Sequence, residues 1–475
     1  MVNILWSLTD GLRDSSSRGK SLLGSEEVQW TYCSNWKFAI HNPQLSRSSP
    51  FTIYHLLFTI CFLLIVPFTL FSQSKLLIPM DLKQTDHLKA YGIAFWVLQK
   101  NGEVDWLLNY RGGSFMTEYS DVLARECRIR GVQFEAVSAG EAAALYAEIQ
   151  KEDNNMDIER LEKVPKIAVY VPPTSNPWDD AVTMVLEYAE IPFTKIWDEE
   201  VLSGKLSEYD WLHLHHEDFT GQYGKFYANY RNAPWYIEQQ MLYEQEAKRL
   251  GYKKVSEEKK AVARAIKDYI GNGGFMFAMC SATDSYDIAL AAENVDICDV
   301  MYDGDPPDPN AQSKLDFSKT LAFENFKLEM NPLRYEYSDI DIPPSDPPPL
   351  RDPNTDYFTL FEFSAKYDPV PTMLTQDHVN IIKGFMGQTT AFKKSVIKRS
   401  VTILAEREGT EEVKYIHGNF GRGTFTWYGG HDPEDYQHVV GDPPTDLALH
   451  KNSPGYRLIL NNVLFPAAKK KQQKT

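Results

Sequence analysis

Apolar and polar positions alternate in two series along this chain. In the first, Leu76–Met80, Val104–Tyr110 and Gln133–Val137 read as strands. Asp86–Gln99 and Tyr119–Arg130 read as amphipathic helices, with Leu88, Ile93, Trp96 and Val97 of the first turned inward. The charged stretch 151–163 (KEDNNMDIERLEK) reads as a connector. The second series starts at Lys166. Ile167–Val171, Phe193–Trp197, Tyr209–His215 and Gly274–Met279 are strand candidates, interleaved with helical pattern at Asp179–Glu190, Trp235–Ile270 and from Tyr286. Strands alternating with helices of this length predict parallel βαβ units. The expectation is an α/β protein of two doubly wound, flavodoxin- or Rossmann-like units, whose ligands bind beyond the carboxyl ends of the strands.

Between 299 and 400 the pattern loosens around a proline-rich tract, IPPSDPPPLRDP (342–353), and reads as a long insertion that borders the site. Strand pattern resumes at Val401–Leu404, Tyr415–His417 and Thr424–Tyr428, and Tyr456–Leu464 reads as a final helix before the basic tail KKKQQK. The expected organisation is an N-terminal α/β domain over 75–165, a second domain over 166–298 plus 401–468, and the insertion over 299–400. Upstream, residues 1–50 show neither a clear period nor helix caps. Phe51–Phe71 is an uncharged apolar run followed by Ser72 and Ser74. That pattern predicts a signal peptide cleaved after Ser74, hence a protein exported to the periplasm or cell envelope. The competing reading is an anchor, with membrane contact only through 51–71 if the run is uncleaved.

Charge narrows the partners. Lys+Arg 49 against Asp+Glu 65 gives −16, which argues against a nucleic-acid partner held by phosphate contacts. Five cysteines in 475 residues cannot form a dense disulfide framework. The segment FMFAMCSATDS (275–285) places Cys280 where a buried strand turns into a helix. There the helix N-terminus lowers a thiol pKa and binds an oxyanion. A buried structural cysteine is the alternative. YGGHDPEDYQH (428–438) follows a strand and offers a His and carboxylates as base and orienting partner. WLHLHHEDFTGQYG (211–224) puts His213 and His215 on one strand face with His216 beyond, a candidate divalent-metal set. DGDPPDPN (303–310) is a solvated turn or, less in keeping with its spacing, a calcium loop.

From Lys166 onward these segments resemble the class I glutamine-amidotransferase-like fold. FMFAMCSA is similar to its nucleophile elbow, with Ala278 and Ala282 where glycines are usual. YDWLHLHHEDFTG resembles the strand and loop supplying an oxyanion donor, and GRGTFTWYGGHDPE the terminal strands bearing His and Glu. The resemblance implies Cys280 as nucleophile, His431 as base and Glu434 as its partner. Oxyanion or substrate contacts are expected from Ser281 and from Glu217, Asp218 and Gly221 at the shared strand ends, with Asp284 and Ser285 as further candidates. The whole mature chain also looks like an exported protein group of Bacteroidota whose members carry the name asparagine synthetase B. In that light CSATDS resembles a pyrophosphate loop, matching at Asp284 and Ser285, and ATP becomes a cofactor. The first reading expects no cofactor beyond a divalent metal, and a small amide or amino-acid-like substrate.

Overall fold

The computed structural model describes residues 74–173, 180–342, 352–368 and 379–468. The expectations for 1–50 and 51–71, most of the proline tract and the basic tail lie outside the described residues. Among those described, no helix is long and apolar enough to cross a membrane.

The first five strands are β1 (Lys75–Ile78), β2 (Val104–Leu108), β3 (Ser114–Glu118), β4 (Glu135–Val137) and β5 (Asp157–Leu161). They form a sheet of order β4-β1-β3-β2-β5 in which every pairing is antiparallel. The expected first doubly wound unit is therefore corrected. The reason lies in NYRGG: Asn109, Arg111, Gly112 and Gly113 all take positive φ, so the chain reverses at once and Trp106 pairs with Phe115. The supposed connector holds β5. As an edge strand it carries charge, and Arg160 pairs with Asp105 and Glu103 on the sheet.

Helices α1 (His87–Gln99), α2 (Asp121–Arg130) and α3 (Ala139–Ile149) accompany this sheet. Each start is capped: the Asp86 side chain accepts from the Lys89 amide, that of Ser120 from Leu123, and Ser138 with Glu141 forms a capping box.

The second sheet begins with β6 (Ile167–Tyr170), β7 (Thr194–Ile196), β8 (Trp211–Leu214) and β9 (Phe275–Met279). It adds β10 (Tyr357–Leu360), β11 (Ile381–Lys383), β12 (Phe392–Lys393), β13 (Thr402–Glu406), β14 (Glu412–Phe420) and β15 (Gly423–Tyr428). Its order is β11-β10-β13-β14-β15-β9-β8-β6-β7, with β12 on β14. From β7 to β15 the neighbours are parallel, as the second apolar series predicts; from β15 to β11 they are antiparallel. Leu214 pairs with Ala278, and Tyr428 with Met279, so three strands end at one edge.

Side chains alternate across this sheet. Ile167, Val169, Phe277, Met279 and Tyr428 pack with α4 (Ala181–Tyr188) and the late helix 454–464, while Ala168, Met276, Ala278 and Trp427 face the other layer. That other layer holds α5 (Asp198–Leu202), α6 (Pro234–Arg249), α7 (Val255–Gly271) and α8 (Ser281–Ala291). Helix α1 shares its core with both sheets. The Tyr91 ring meets Trp106 and Phe115 edge-on, and its hydroxyl donates to Asn461 at 2.5 Å on α9 (Pro454–Leu464).

Close packing there needs Gly92. A Cβ at this position would lie 1.9 Å from the Ala189 carbonyl oxygen. Gly→Ala inside a helix ordinarily stabilises by up to about 1 kcal/mol. Gly92→Ala is expected to reverse that sign and destabilise by about 2 kcal/mol or more, since backbone must shift. A urea unfolding midpoint equal to or above wild type would contradict it.

Two buried histidines set an acid limit. Burial pushes His87 down to about 4 and His417 to about 3. Both rings are neutral in the fold, whereas in the unfolded chain they titrate near 6.5. Their contribution is complete above pH 6.5 and is lost as pH falls through 6.5 toward 4, about 1.4 kcal/mol per unit for each. Thermal midpoints measured from pH 7.5 to 4 should fall more steeply for wild type than for His87→Gln. Parallel curves would contradict the assignment.

Candidate functional site

The edge where β8, β9 and β15 end carries the residues of interest. Cys280 follows β9 and caps α8 with φ +49 and ψ −143. A side chain pays about 1–3 kcal/mol to sit in such a sparsely populated region. The turn is held from both sides: the Cys280 amide donates to the Gly430 carbonyl at 3.1 Å, and the Ala282 amide donates to that of His215 at 2.9 Å. Burial pushes the thiol up to about 11, against the pull of the backbone amides of Gln388, Ser281 and Thr389. Gln388 and Thr389 lie in the stretch 299–400.

The covering loop is itself fixed. The Gln388 side-chain amide donates to the carbonyls of Gly224 and Tyr335, both at 2.8 Å. Gly387 has no room for a Cβ, which would sit 2.7 Å from the His431 amide nitrogen. Thr389 donates from its hydroxyl to Asp284 at 3.0 Å, whose carboxyl burial raises to about 7.

His431 stands after Gly430 as expected, but neither of its ring nitrogens has a hydrogen-bond partner among the described residues. It makes no hydrogen bond to the thiol. Its ring stacks on His438 at 4.3 Å and meets His215 at 4.5 Å. Glu434 pairs with His450 at 2.9 Å instead of orienting His431. Asp432 explains this: its carboxylate accepts from the Glu434 amide, the Tyr456 hydroxyl and the Thr445 hydroxyl, a turn that carries Glu434 away.

The 217–221 loop is occupied with its own structure. Glu217, raised to about 8 by burial, accepts from the His215 amide, and the Ser285 hydroxyl donates to the Glu217 carbonyl. Asp218 accepts from the amides of Thr220, Gln222 and Gly224. Gly221 is buried beside them. The backbone amides that pull the thiol pKa down are those of Gln388, Ser281 and Thr389, and none of them comes from 217–221. Asp284 and Ser285, matched to a pyrophosphate loop, are buried in the first turns of α8, where Asp284 accepts from the Thr389 hydroxyl and Ser285 donates to the Glu217 carbonyl.

The histidines on and just after β8 separate into two roles. His213 uses both nitrogens, on Asp180 at 3.2 Å and on the Phe277 carbonyl at 3.1 Å, so it is a support rather than a free ligand. His215 points one nitrogen at Asp180, 3.3 Å away, and burial holds its pKa below the usual value. His216 is pushed down to about 3 by burial and by the neighbouring His215. One ligand atom from each of His215, His216 and His431 falls within 4.8 Å of the others. Asp180 and His438 were not foreseen from the sequence. Asp180 lay unmarked within the helical stretch Asp179–Glu190, and it caps α4 by accepting from Val182 and Thr183. At the 303–310 loop Lys254 pairs with Asp296 at 2.6 Å, Asp303 at 2.9 Å and Asp305.

No family model and no curated protein matches the chain. Among solved structures, the cytoplasmic protein STM3548 from Salmonella typhimurium aligns at 10% identity and TM-score 0.31, covering 64% of this chain and all of that one. The cytoplasmic protein STM1381 from Salmonella typhimurium LT2 aligns at 11% identity and TM-score 0.31, with the same coverage. Gan42B, a GH42 beta-galactosidase, aligns at 10% identity and TM-score 0.25 over 57% of this chain and 28% of its own.

Proposed function

We propose that this chain is a cysteine-dependent amide hydrolase or acyl transferase of the glutamine-amidotransferase-like kind, acting on a small amide or amino-acid-like substrate. The observation that carries the reading is the backbone of Cys280, held at φ +49 at the head of an eleven-residue helix. A strained strand-to-helix turn is how a nucleophile is raised above a parallel sheet. The strand order β7-β6-β8-β9-β15, parallel with helices on both faces, supports a doubly wound second unit with its site at this edge.

In this reading Cys280 attacks the amide carbonyl. The amides of Ser281, Gln388 and Thr389, which pull the thiol pKa down against burial, stabilise negative charge on the thiolate and on the oxyanion beside it. The proton acceptor comes from the histidines at the same strand ends. His431 is tied to the turn, since the Gly430 carbonyl before it accepts from the Cys280 amide.

A second reading, an exported binding protein with a relic site, is favoured by one observation: His431 makes no hydrogen bond to the thiol and Glu434 belongs to His450. Ammonia release from a panel of glutamine- and asparagine-like ω-amides separates the two. Turnover by wild type that disappears in Cys280→Ser supports the hydrolase. Saturable binding without turnover supports the binding protein.

A further inference from the structure

We infer that His215, His216 and His431 form a binding site for a divalent transition metal of the zinc class. The inference goes beyond the hydrolase reading and does not depend on it. The His215 ring is wholly buried and His431 is 5% exposed. The second nitrogen of His215, and both of His431, are buried without a hydrogen-bond partner among the described residues. Leaving such groups unpaired costs about 1–3 kcal/mol apiece. A shared ion satisfies them together, because the ligand atoms of the three rings already lie within 4.8 Å of one another.

The surroundings fit a metal better than they fit a hydrogen-bond network. Metal-ligating histidines carry a carboxylate behind the ring, which fixes the tautomer and raises ligand basicity. Asp180 stands there, 3.3 Å from Nδ1 of His215, leaving Nε2 for the ion. Asp180 is positioned in turn by His213, 3.2 Å from the same oxygen, and by capping α4. His438 stacks parallel to His431 at 4.3 Å and keeps that ring from turning away. Three imidazoles with one open position is the ligand set of a catalytic zinc rather than a closed structural one. His216, the least buried of the three, marks the side from which water or substrate would complete the shell. With an ion bound, His431 is committed as a ligand, and a metal-bound water takes over as the candidate base of this edge.

The test is metal binding by the full chain after chelator treatment and desalting. Titration with Co²⁺ alone should give tetrahedral d–d absorption saturating near about one ion per chain, displaced by Zn²⁺. His215→Ala and His431→Ala should each lose the band while keeping their circular dichroism. Asp180→Asn, which can still cap α4, should bind about 10- to 100-fold more weakly. Absence of the band in wild type overturns the inference. So does a band that persists in both His variants, or one that vanishes instead in Asp442→Ala, which assigns the ion to the outer group Asp435, His438 and Asp442. Because the readout is binding, its failure is distinct from failure of amide turnover.

Discussion

Replacing Cys280 with Ala should cut amide turnover by at least roughly 10⁴-fold, the scale on which loss of a nucleophile acts. The fold should survive, because a buried thiol contributes little more than its volume. A second comparison tests the strain directly. At an ordinary position Gly is less stable than Ala by about 0.5–1 kcal/mol. At φ +49 the order should invert, with Cys280→Gly more stable than Cys280→Ala by about 1 kcal/mol, because only Gly enters this region without a Cβ clash. Urea unfolding of the two variants gives the answer. If Ala is the more stable, the elbow is not strained and the main support for a nucleophile goes with it.

The largest effect on stability should come from Lys259 on α7. Its ammonium lies 2.6 Å from Asp198, and both side chains are 1% exposed. It also donates to the Tyr170 hydroxyl at 2.9 Å and sits 3.8 Å above the Trp197 ring. Asp198 in turn accepts from Tyr170. Lys259→Met keeps the stem and removes the charge, stranding a buried carboxylate, and should cost about 3–5 kcal/mol. Adding Asp198→Asn should recover part of that loss, because the stranded charge is then gone. A single-variant cost below about 1 kcal/mol would mean that the pair is solvated.

Much of the second sheet was legible because its strands are buried on both faces and read as short apolar runs between helices of ordinary length. Phe275–Met279 and Ile167–Tyr170 are the plainest cases. The first sheet was misread in direction because strand and helix lengths do not encode pairing. The decisive feature was the reversal at Asn109–Gly113, which hides β3 behind what looks like one strand end. β5 was hidden by charge, since an edge strand needs only one apolar face.

That Cys280 and His431 share one sheet edge was legible because each follows an apolar strand, and parallel strands end together. The fate of Glu434 was not legible, because a turn made by Asp432 decides its direction. The joining of His431 to His215 and His216 could not be read from local spacing either, since it arises from strands on either side of β9. The cover over the thiol, Gln388 and Thr389, comes from the loosely patterned insertion, where no periodicity announces a role.

The central claim, that Cys280 is a nucleophile shaped for an amide, is met most directly by covalent labelling. The full chain is incubated with an electrophilic glutamine analogue, and adducts are mapped by peptide mass spectrometry over time. The account expects one adduct per chain, on the peptide that contains Cys280. It should form well ahead of any on the buried Cys127 and Cys298 and be slowed by a competing substrate amide. Labelling of Cys280 no faster than of Cys127 and Cys298, or none at all in the folded chain, would contradict it.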